Sequence, residues 1–422
     1  MTLAALCLSL LTPAGCLGGA GPAPAGARPR AVMLVSLDGF RPDFLERPAA
    51  VRLRDLAAHG VRARWLRPVA PTLTFPNHYT IVTGLYPAHH GIVGNSMRDP
   101  AIERPFAIRD TLVVRDPRWW GGEPIWVTAE RQGRRTAAFF WPGSEAPIEG
   151  RRPTWYRRFD PSVPNRARVD QVLAWLRLPA DSAPALVLLY LGDVDQEGHA
   201  HGPNSPQVDS AVARVDTAIG RLEDGLAASG LGDSVDLLVV SDHGMASVQP
   251  DHLIFLDDYL DPATVEVTEW APMLPIRPRD GDVERVYRAL AGRHPHLAVY
   301  RRRDLPPRFH YDSTPRTAPI VGLADEGWLI TTHERARSGT VPRGMHGYDP
   351  GLPSMRAIFL ASGPSFRDGT VVPGFENVHL YPLLATLLGV RPAPADGRLD
   401  SLPRALVPAP AGGATPTRMR SD

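Results

Sequence analysis

The chain alternates short apolar runs with longer stretches of helical spacing. Near-continuous apolar runs of strand length are typical of strands buried on both faces; they cover 31–35, 135–141, 185–191, 235–240 and 357–361, with a further candidate at 61–69. Helical spacing lies at 42–59, from Pro124 onward, and at 169–178, 205–229 and 378–388, and glycines at 60 and 389 end the first and last of these stretches. This alternation predicts an α/β fold.

Residues 247–342 do not follow this alternation. They contain short strand-like runs and one helical stretch near 282–293. We interpret them as an inserted, lid-like segment within a single domain over 31–400. Residues 393 onward are rich in Pro and Ala, and we expect 401–422 to be a disordered tail.

Composition and charge exclude some kinds of site. The chain has 422 residues, 43% hydrophobic and 22% charged, which suits one large globular domain or two smaller ones. The formal net charge is +1, so bulk electrostatics predicts neither nucleic-acid nor membrane-surface binding. The only cysteines are Cys7 and Cys16. A metal site in the body of the chain must therefore use His, Asp and Glu.

The first 30 residues have the pattern of an export signal and a flexible tether. Residues 3–11 form an apolar core followed by small residues, as in a secretory signal peptide, although no basic residue precedes them. The sequence Pro13-Ala14-Gly15-Cys16 resembles a bacterial lipoprotein cleavage site in which a proline replaces the usual aliphatic residue, so lipidation at Cys16 and simple cleavage both stay open. Residues 20–30 are rich in Pro, Ala and Gly. We expect an exported protein that is periplasmic, secreted or lipid-anchored.

Acidic side chains follow three of the predicted strands. Asp38 follows the first strand, Asp195 follows the run 185–191, and Asp242 with His243 follows the run 235–240. Ligands of open α/β sheets bind outside the carboxyl ends of the strands. One such Asp could simply cap the next helix, but three of them with neighbouring histidines predict a metal site.

One pair of candidate ligands has helical spacing. Asp195 and His199 are four residues apart, so one face of a helical turn can present both to one metal ion. Asp193 and His201 are alternative ligands that the sequence alone leaves open.

Thr74 is a candidate nucleophile. Pro76 suits the first turn of a helix, which places Thr74 just before a helix N-terminus. Free N–H groups and the helix dipole favour an anion there. Thr74 could equally be an N-cap, and the two roles do not exclude each other.

The candidates together suggest a reaction class. They are Asp38, Thr74, Asp195, His199, Asp242, His243 and His346. Six Asp and His ligands are too many for one tetrahedral site and suit two ions such as zinc or manganese. Two metals about 4 Å apart can stabilise the attacking and leaving oxygens of a displacement at phosphorus, and a nearby metal activates a hydroxyl. The residues therefore predict two-metal phosphoryl transfer through a covalent phosphothreonine.

Six stretches of the chain resemble a known family. They are Ser-Leu-Asp-Gly-Phe-Arg (36–41), Thr-Phe-Pro-Asn-His-Tyr (74–79), Trp-Trp-Gly-Gly-Glu-Pro-Ile-Trp (119–126), Asp-Gln-Glu-Gly-His (195–199), Ser-Asp-His-Gly-Met (241–245) and His-Gly-Tyr (346–348). In this order they resemble the nucleotide pyrophosphatase/phosphodiesterases of the alkaline phosphatase superfamily. The resemblance implies a mostly parallel central sheet with helices on both faces.

The resemblance also implies roles for individual residues. One zinc ion would be held by Asp195, His199 and His346, and a second by Asp38, Thr74, Asp242 and His243. Asn95 and the backbone N–H of Phe75 would donate to a phosphoryl oxygen. Phe75 and Tyr190 would sandwich a nucleobase, with core packing as the alternative for Tyr190. The histidines at 78, 89 and 90 would support the structure or the ligands.

The implied reaction hydrolyses nucleotide phosphodiester and phosphoanhydride bonds to nucleoside 5′-monophosphates, with a small molecule as the partner. A phosphomonoesterase would need an added cation near the nucleophile, yet Leu73 and Phe75 flank Thr74. A sulfatase would need a Cys/Ser-x-Pro-x-Arg motif at the nucleophile, and residues 74–78 read Thr-Phe-Pro-Asn-His instead. A choline-phospholipid phosphodiesterase remains open. An inactive zinc-binding scaffold is disfavoured because every ligand position carries a competent residue.

Overall fold

The computed structural model describes residues 30–339 and 341–406. A central sheet of eight strands organises this part of the chain. Its strands are β1 (Ala31–Leu37), β2 (Val61–Ala63), β3 (Thr136–Phe139), β4 (Trp155–Arg157), β5 (Leu186–Leu191), β6 (Val235–Val240), β7 (Phe359–Ser362) and β8 (Thr370–Val372). Their spatial order is β8-β2-β7-β6-β1-β5-β3-β4. Only β7 runs antiparallel to its neighbours in this sheet.

Ten α-helices lie within the described ranges. They are α1 (Val51–His59), α2 (Thr74–Thr83), α3 (Pro87–His90), α4 (Ile125–Arg131), α5 (Asn165–Leu176), α6 (Asp193–His201), α7 (Pro206–Ala228), α8 (Val283–Leu290), α9 (His333–Ser338) and α10 (Leu380–Leu388). Helices α1, α5 and α7 contribute to the apolar core on one face of the sheet, and α2, α4 and α10 contribute to the core on the other face. The predicted α/β fold is confirmed.

Strand β1 shows why the strand sequences are apolar throughout. Val32 and Leu34 pack into one core, while Met33 and Val35 pack into the other. Successive side chains of a strand point to opposite faces, and here both faces are covered by helices. Alternation of polar and apolar residues is therefore lost, as expected for a buried parallel sheet.

One predicted helix and one predicted strand are shorter in the structure than the sequence pattern predicted. The helix predicted over 42–59 is split into a 3₁₀-helix, Pro42–Glu46, and α1. Arg47 between them is extended, with ψ of 143°, because a residue before a proline avoids the helical region. The strand predicted over 61–69 ends at Ala63, and Leu66–Arg67 pairs separately with Phe375–Glu376.

The segment 247–342 forms a structure of its own. Its four-stranded sheet has the order Val265–Val267, Met273–Pro278, Ile320–Ala324 and Leu297–Arg301, with every pair antiparallel. Helix α8 packs on it through Val286 and Leu290, which belong to a separate apolar core. Two further short ribbons join Leu253–Phe255 to Leu329–Thr331, and Ala246–Ser247 to Gly344–Met345. A hairpin of Ser96–Asp99 and Ile102–Ala107 lies elsewhere in the domain.

The disordered tail was predicted to begin too early. Leu402 and Leu406 are buried in the main core, and Arg404–Leu406 is a 3₁₀-helix. The predicted signal segment and tether, Cys7 and Cys16, and residues 407–422 all lie outside the described residues. Within the described part of the chain, no helix is long and apolar enough to cross a membrane.

Candidate metal centre and active site

The candidate ligands meet at the carboxyl ends of three neighbouring strands. Strand β1 lies between β5 and β6, so Asp38 after β1 lies beside Asp242 and His243 after β6. Helix α6 begins directly after β5 and carries Asp195 and His199. The ribbon of Ala246–Ser247 with Gly344–Met345 brings His346 to the same place.

The turn after β1 requires a glycine. Gly39 has φ of +70°, and a Cβ at this position would lie 3.0 Å from the Asp195 Cα. Its N–H donates to Asp242 Oδ1 at 3.2 Å. The turn therefore lets two candidate ligand segments approach each other closely.

The first group of possible metal ligands is Asp195, His199 and His346. Asp195 Oδ1 lies 3.4 Å from His199 Nε2 and 3.5 Å from His346 Nε2. The two Nε2 atoms are 3.1 Å apart. Ligand atoms about 2.0–2.1 Å from a tetrahedral zinc ion lie about 3.3 Å from one another, so these three atoms have the spacing of one face of such a site.

The second group is Asp38, Asp242 and His243. His243 Nε2 lies 3.4 Å from Asp38 Oδ1 and 3.0 Å from Asp242 Oδ2. Thr74, the first residue of α2, places its Oγ1 3.3 Å from the same Nε2 atom. Thr74 makes no capping hydrogen bond, and Leu73 is the N-cap. The N-cap alternative for Thr74 is therefore wrong.

The two groups are adjacent. The rings of His243 and His346, one from each group, stack with centroids 3.7 Å apart and planes 13° from parallel. Two cations bound in these groups would therefore be neighbours.

The imidazoles are oriented as metal ligands. The Nδ1 atoms of His199, His243 and His346 lie 3.0, 2.9 and 2.8 Å from the backbone carbonyls of Gly344, Gly244 and Thr72. A carbonyl oxygen can only accept, so each Nδ1 carries a proton, and in the neutral imidazole each Nε2 then keeps its lone pair. This arrangement is usual for histidines that bind metal through Nε2.

The carboxylates fit the same interpretation. Asp38 Oδ1, Asp195 Oδ1 and Asp242 Oδ2 are buried and have no hydrogen-bond donor in the structure. These are the same oxygens that face the Nε2 atoms. Buried polar atoms without partners are rare and costly. The residues therefore fit two divalent cations, each satisfying oxygens that the protein leaves unpaired.

The electrostatics of the site also favour cations. Burial raises the pKa of the Asp38 carboxyl well above its usual range, and the charges of Asp242 and Asp195 raise it further. Burial alone would also raise the pKa of Asp242, but His243 and His78 hold it well below its usual range. Burial lowers the pKa of His346 to about 3, which keeps its imidazole neutral. Buried carboxylates that repel one another in this way become stable together when a cation lies between them.

Comparison with known proteins gives the family. The profile of the family described as "Type I phosphodiesterase / nucleotide pyrophosphatase" matches residues 32–349. The chain belongs to this family. The match includes all seven candidate residues, from Asp38 to His346.

Relatives of this phosphodiesterase-family chain include snake-venom and yeast proteins. Venom phosphodiesterase CdcPDE of Crotalus durissus collilineatus is 38% identical over 397 residues, covering 91% of this chain and 47% of its own. An uncharacterized pyrophosphatase/phosphodiesterase of Schizosaccharomyces pombe is 38% identical over 382 residues, covering 87% of this chain and 79% of its own. The chain thus spans about half the length of the venom relatives.

Solved structures support the same assignment. Murine ectonucleotide pyrophosphatase/phosphodiesterase 5 superposes with a TM-score of 0.84 at 37% identity, covering 88% of this chain and 98% of its own. A structure of that protein described as inactive, with a threonine replaced by alanine, is in complex with AMP and superposes equally well. The alkaline-phosphatase-like arrangement that the resemblance implied is confirmed.

The alternative ligands lie outside both groups. Asp193 accepts hydrogen bonds from Arg214 at 3.0 Å and from Asn165 at 2.8 Å. His201 faces Glu197 at 3.5 Å. Both side chains are therefore occupied away from the candidate metal centre.

Three further histidines of this phosphodiesterase-family chain serve other contacts. His78 is buried, with Nδ1 2.8 Å from the Thr74 carbonyl and 3.2 Å from Asp242 Oδ2, so it connects α2 to a candidate ligand. His90 is buried beside Thr80, and His89 pairs with Asp396. None of the three belongs to either ligand group.

Asn95 lies beside the residue that follows Thr74. Its Oδ1 accepts a hydrogen bond from the Phe75 N–H at 3.0 Å. The two groups predicted to hold a phosphoryl oxygen are thus neighbours that bond to each other here. An anion that accepted from both would have to replace this contact.

Tyr190 has a contact that the sequence did not indicate. Its hydroxyl donates to Asp38 Oδ2 at 2.6 Å, and burial followed by the Asp38 charge raises the pKa of this hydroxyl well above its usual range. The edge of its ring faces Phe159, with centroids 6.3 Å apart. Phe159 is 54% exposed, an unusual state for a phenylalanine. No motif singled out Phe159, since it lies in a polar loop with no periodicity.

Proposed function

We propose that this chain is a two-zinc phosphodiesterase that hydrolyses nucleotide phosphodiester and phosphoanhydride bonds to nucleoside 5′-monophosphates. The observation that carries the proposal is the second ligand group, in which Thr74 Oγ1 lies 3.3 Å from His243 Nε2, beside a buried carboxylate oxygen without a partner. A hydroxyl in this position is placed to share a metal ion with Asp38, Asp242 and His243. The first group, Asp195, His199 and His346, would hold the second ion.

When bound, the two ions would supply Lewis acidity that lowers the pKa of a hydroxyl and neutralises the departing oxygen. Thr74 Oγ1 gives its proton to water and bonds to phosphorus, while the bond from phosphorus to the leaving oxygen breaks and that oxygen keeps the electron pair. The product of this step is a phosphothreonine that still carries the nucleoside. A water molecule attacks the same phosphorus in a second step, which breaks the bond to Thr74 Oγ1 and releases the nucleoside monophosphate.

Aromatic side chains beside the site support a nucleotide as the substrate. Phe75 is partly exposed next to the nucleophile, and Phe159 is exposed next to Tyr190. Stacking of a base on an aromatic ring is worth about 1–3 kcal/mol and tolerates any base. We keep Phe75 and Tyr190 as the proposed base-binding residues, and we add Phe159 because its ring has the free surface that stacking requires. The AMP complex of the murine relative is consistent with this choice.

The charge around Thr74 favours a diester over a monoester. The chain contains no lysine, and in the described residues no arginine side chain donates a hydrogen bond to Thr74 or Asn95. A monoester carries one more negative charge than a diester, and in the described residues no cationic side chain is hydrogen-bonded to Thr74 or Asn95 to compensate for it. We therefore place phosphomonoesters among the poor substrates.

A direct test compares three chromogenic esters on protein purified without chelator. The nitrophenyl ester of a nucleoside 5′-monophosphate should be hydrolysed with a kcat/KM at least about tenfold above that of nitrophenyl phosphate, a difference of about 1.4 kcal/mol. The third substrate, nitrophenyl phosphorylcholine, tests the choline-phosphodiester alternative. Preference for nitrophenyl phosphate or for the choline ester would contradict the nucleotide assignment, and inactivity on all three would favour a scaffold protein.

A further inference from the structure

A carboxylate from the inserted segment reaches the turn that carries Asn95. Glu269 lies between the strands Val265–Val267 and Met273–Pro278 of the insertion. Its Oε2 accepts hydrogen bonds from the backbone N–H groups of Asn95 at 2.8 Å and of Ser96 at 3.2 Å. One carboxylate oxygen thus fixes two successive peptide units.

These bonds continue to the candidate nucleophile. Asn95 Oδ1 accepts from the Phe75 N–H at 3.0 Å, and Phe75 directly follows Thr74. The path from the insertion to the candidate phosphoryl-binding groups therefore consists of Glu269, Asn95 and Phe75. The side chain of Asn95 has its other atom, Nδ2, without a protein acceptor in the described residues, so a ligand can take it.

The position of Glu269 is unfavourable for the stability of the fold. It is half-buried and forms no ion pair with any described residue, so its only partners are the two N–H groups. Burial raises the pKa of its carboxyl to about 7, although both N–H donors act to lower it. Partial burial of a carboxylate without a cation costs folding free energy that its hydrogen bonds offset only in part. A role other than stabilising the fold therefore suits this residue.

Glu266, three residues earlier, has the arrangement usual for a partly buried acid, an ion pair with an arginine. It pairs with Arg98 at 2.8 Å, on the same hairpin but beyond the Asn95 turn. Arg316 of the insertion also attaches it to this hairpin, because it pairs with Asp99 and donates a hydrogen bond to the Gly91 carbonyl. Glu269 is therefore not needed merely to attach the insertion.

We propose that Glu269 is a positioning residue, which holds the turn at Asn95 and Ser96 so that the Asn95 side chain and the Phe75 N–H meet the phosphoryl oxygen of the substrate. This inference rests on the proposed function, in which Asn95 binds that oxygen. It gives the inserted segment a role in forming the site, through a hydrogen bond rather than as a cover.

The test is a double-mutant cycle between Glu269 and Asn95. Loss of one donor to a developing oxyanion costs about 100- to 1000-fold in kcat, so Asn95→Ala should show a loss of this order on the nitrophenyl nucleotide ester. Glu269→Ala should lower kcat/KM by roughly tenfold, the cost of a misplaced donor. Glu269→Gln should recover most of this loss, because one amide oxygen can accept both N–H groups as Oε2 does. In the Asn95→Ala background, Glu269→Ala should cost less than about twofold. The matched control Glu266→Ala, which removes the pair with Arg98, should stay within about twofold of wild type.

AMP binding measured by calorimetry gives a second readout that does not depend on turnover. Glu269→Ala should weaken AMP binding in the wild-type background and leave it unchanged in Asn95→Ala. Equal losses in both backgrounds, or equal losses in Glu266→Ala and Glu269→Ala, would overturn the positioning role and make Glu269 a docking residue. If the wild type hydrolyses no phosphodiester but the AMP cycle still couples the two residues, the proposed function fails and the role of Glu269 stands.

Discussion

The hydroxyl of Tyr190 offers a sharp test of the metal centre. It is the hydrogen-bond donor to Asp38 Oδ2 at 2.6 Å, and Asp38 Oδ1 has no donor at all. Tyr190→Phe removes this bond and keeps the ring. A hydrogen bond to a charged group contributes about 1.5–3 kcal/mol, which corresponds to a change of roughly 10- to 150-fold in an affinity. Removal of a residue that orients a metal ligand typically lowers metal affinity by roughly 10- to 100-fold, which agrees with this range.

The assay is competition for metal against a chromogenic chelator. In Tyr190→Phe, one of two metal equivalents should dissociate roughly 10- to 100-fold more readily, because only the group containing Asp38 is affected. Tyr381→Phe is a control, since the Tyr381 hydroxyl is hydrogen-bonded to Thr128 Oγ1 at 2.8 Å and to none of the candidate ligands. Unchanged metal affinity in Tyr190→Phe would refute the role assigned to this hydrogen bond.

The two proposed roles of Tyr190 can be separated with Tyr190→Ala. If the ring stacks on a base, Tyr190→Ala should raise KM for nucleotide substrates by roughly tenfold to a hundredfold, while Tyr190→Phe should not. A small diester such as bis-nitrophenyl phosphate offers no base, so its KM should change far less. Equal losses on both substrates would leave only the contact with Asp38.

Three further predictions follow from the structure. Thr74→Ala should abolish nearly all turnover while the protein stays folded and keeps much of its metal, and Thr74→Ser should retain some activity; wild-type rates in Thr74→Ala would exclude this nucleophile. Removal of metal by a chelator should abolish activity and lower Tm, because ions that bind only the folded state stabilise it, and added zinc should restore both. Burial lowers the pKa of His90 to about 3 from 6.5, so between these pH values the unfolded chain binds a proton that the folded protein does not. This group should therefore lower the free energy of unfolding by about 2 kcal/mol between pH 7 and pH 5. In urea titrations, His90→Gln should remove that part of the pH dependence.

The candidate ligands could be predicted because their signals are local. Asp38, Asp195 and Asp242 each follow an apolar run, and the rule for ligands of α/β sheets places such ends together. The structure adds the reason that these three ends meet, since β1 lies directly between β5 and β6. The choice of Asp195 over Asp193 was not accessible from spacing alone, because it depends on Arg214 and Asn165 from neighbouring helices.

Contacts between distant parts of the chain could not be predicted. Glu269 and Asn95 are 174 residues apart, and a single glutamate in an irregular segment carries no signal of its partner. The contact of Tyr190 with Asp38 spans 152 residues and depends on the register of β5 against β1. The break near Pro48 was locally visible but was outweighed by the apolar spacing of the whole stretch. The start of the disordered tail was predicted too early because Leu402 and Leu406, which are buried in the core, are isolated apolar residues in a Pro-rich region.

The central claim, a covalent intermediate on Thr74, is tested most directly by the stereochemistry at phosphorus. A nucleotide diester that is chiral at phosphorus can be hydrolysed and the configuration of the product determined. Two successive in-line displacements, first by Thr74 and then by water, each invert phosphorus, so the account predicts overall retention. Inversion would mean that water attacks the substrate directly, and it would contradict the covalent mechanism even if both metal groups are filled.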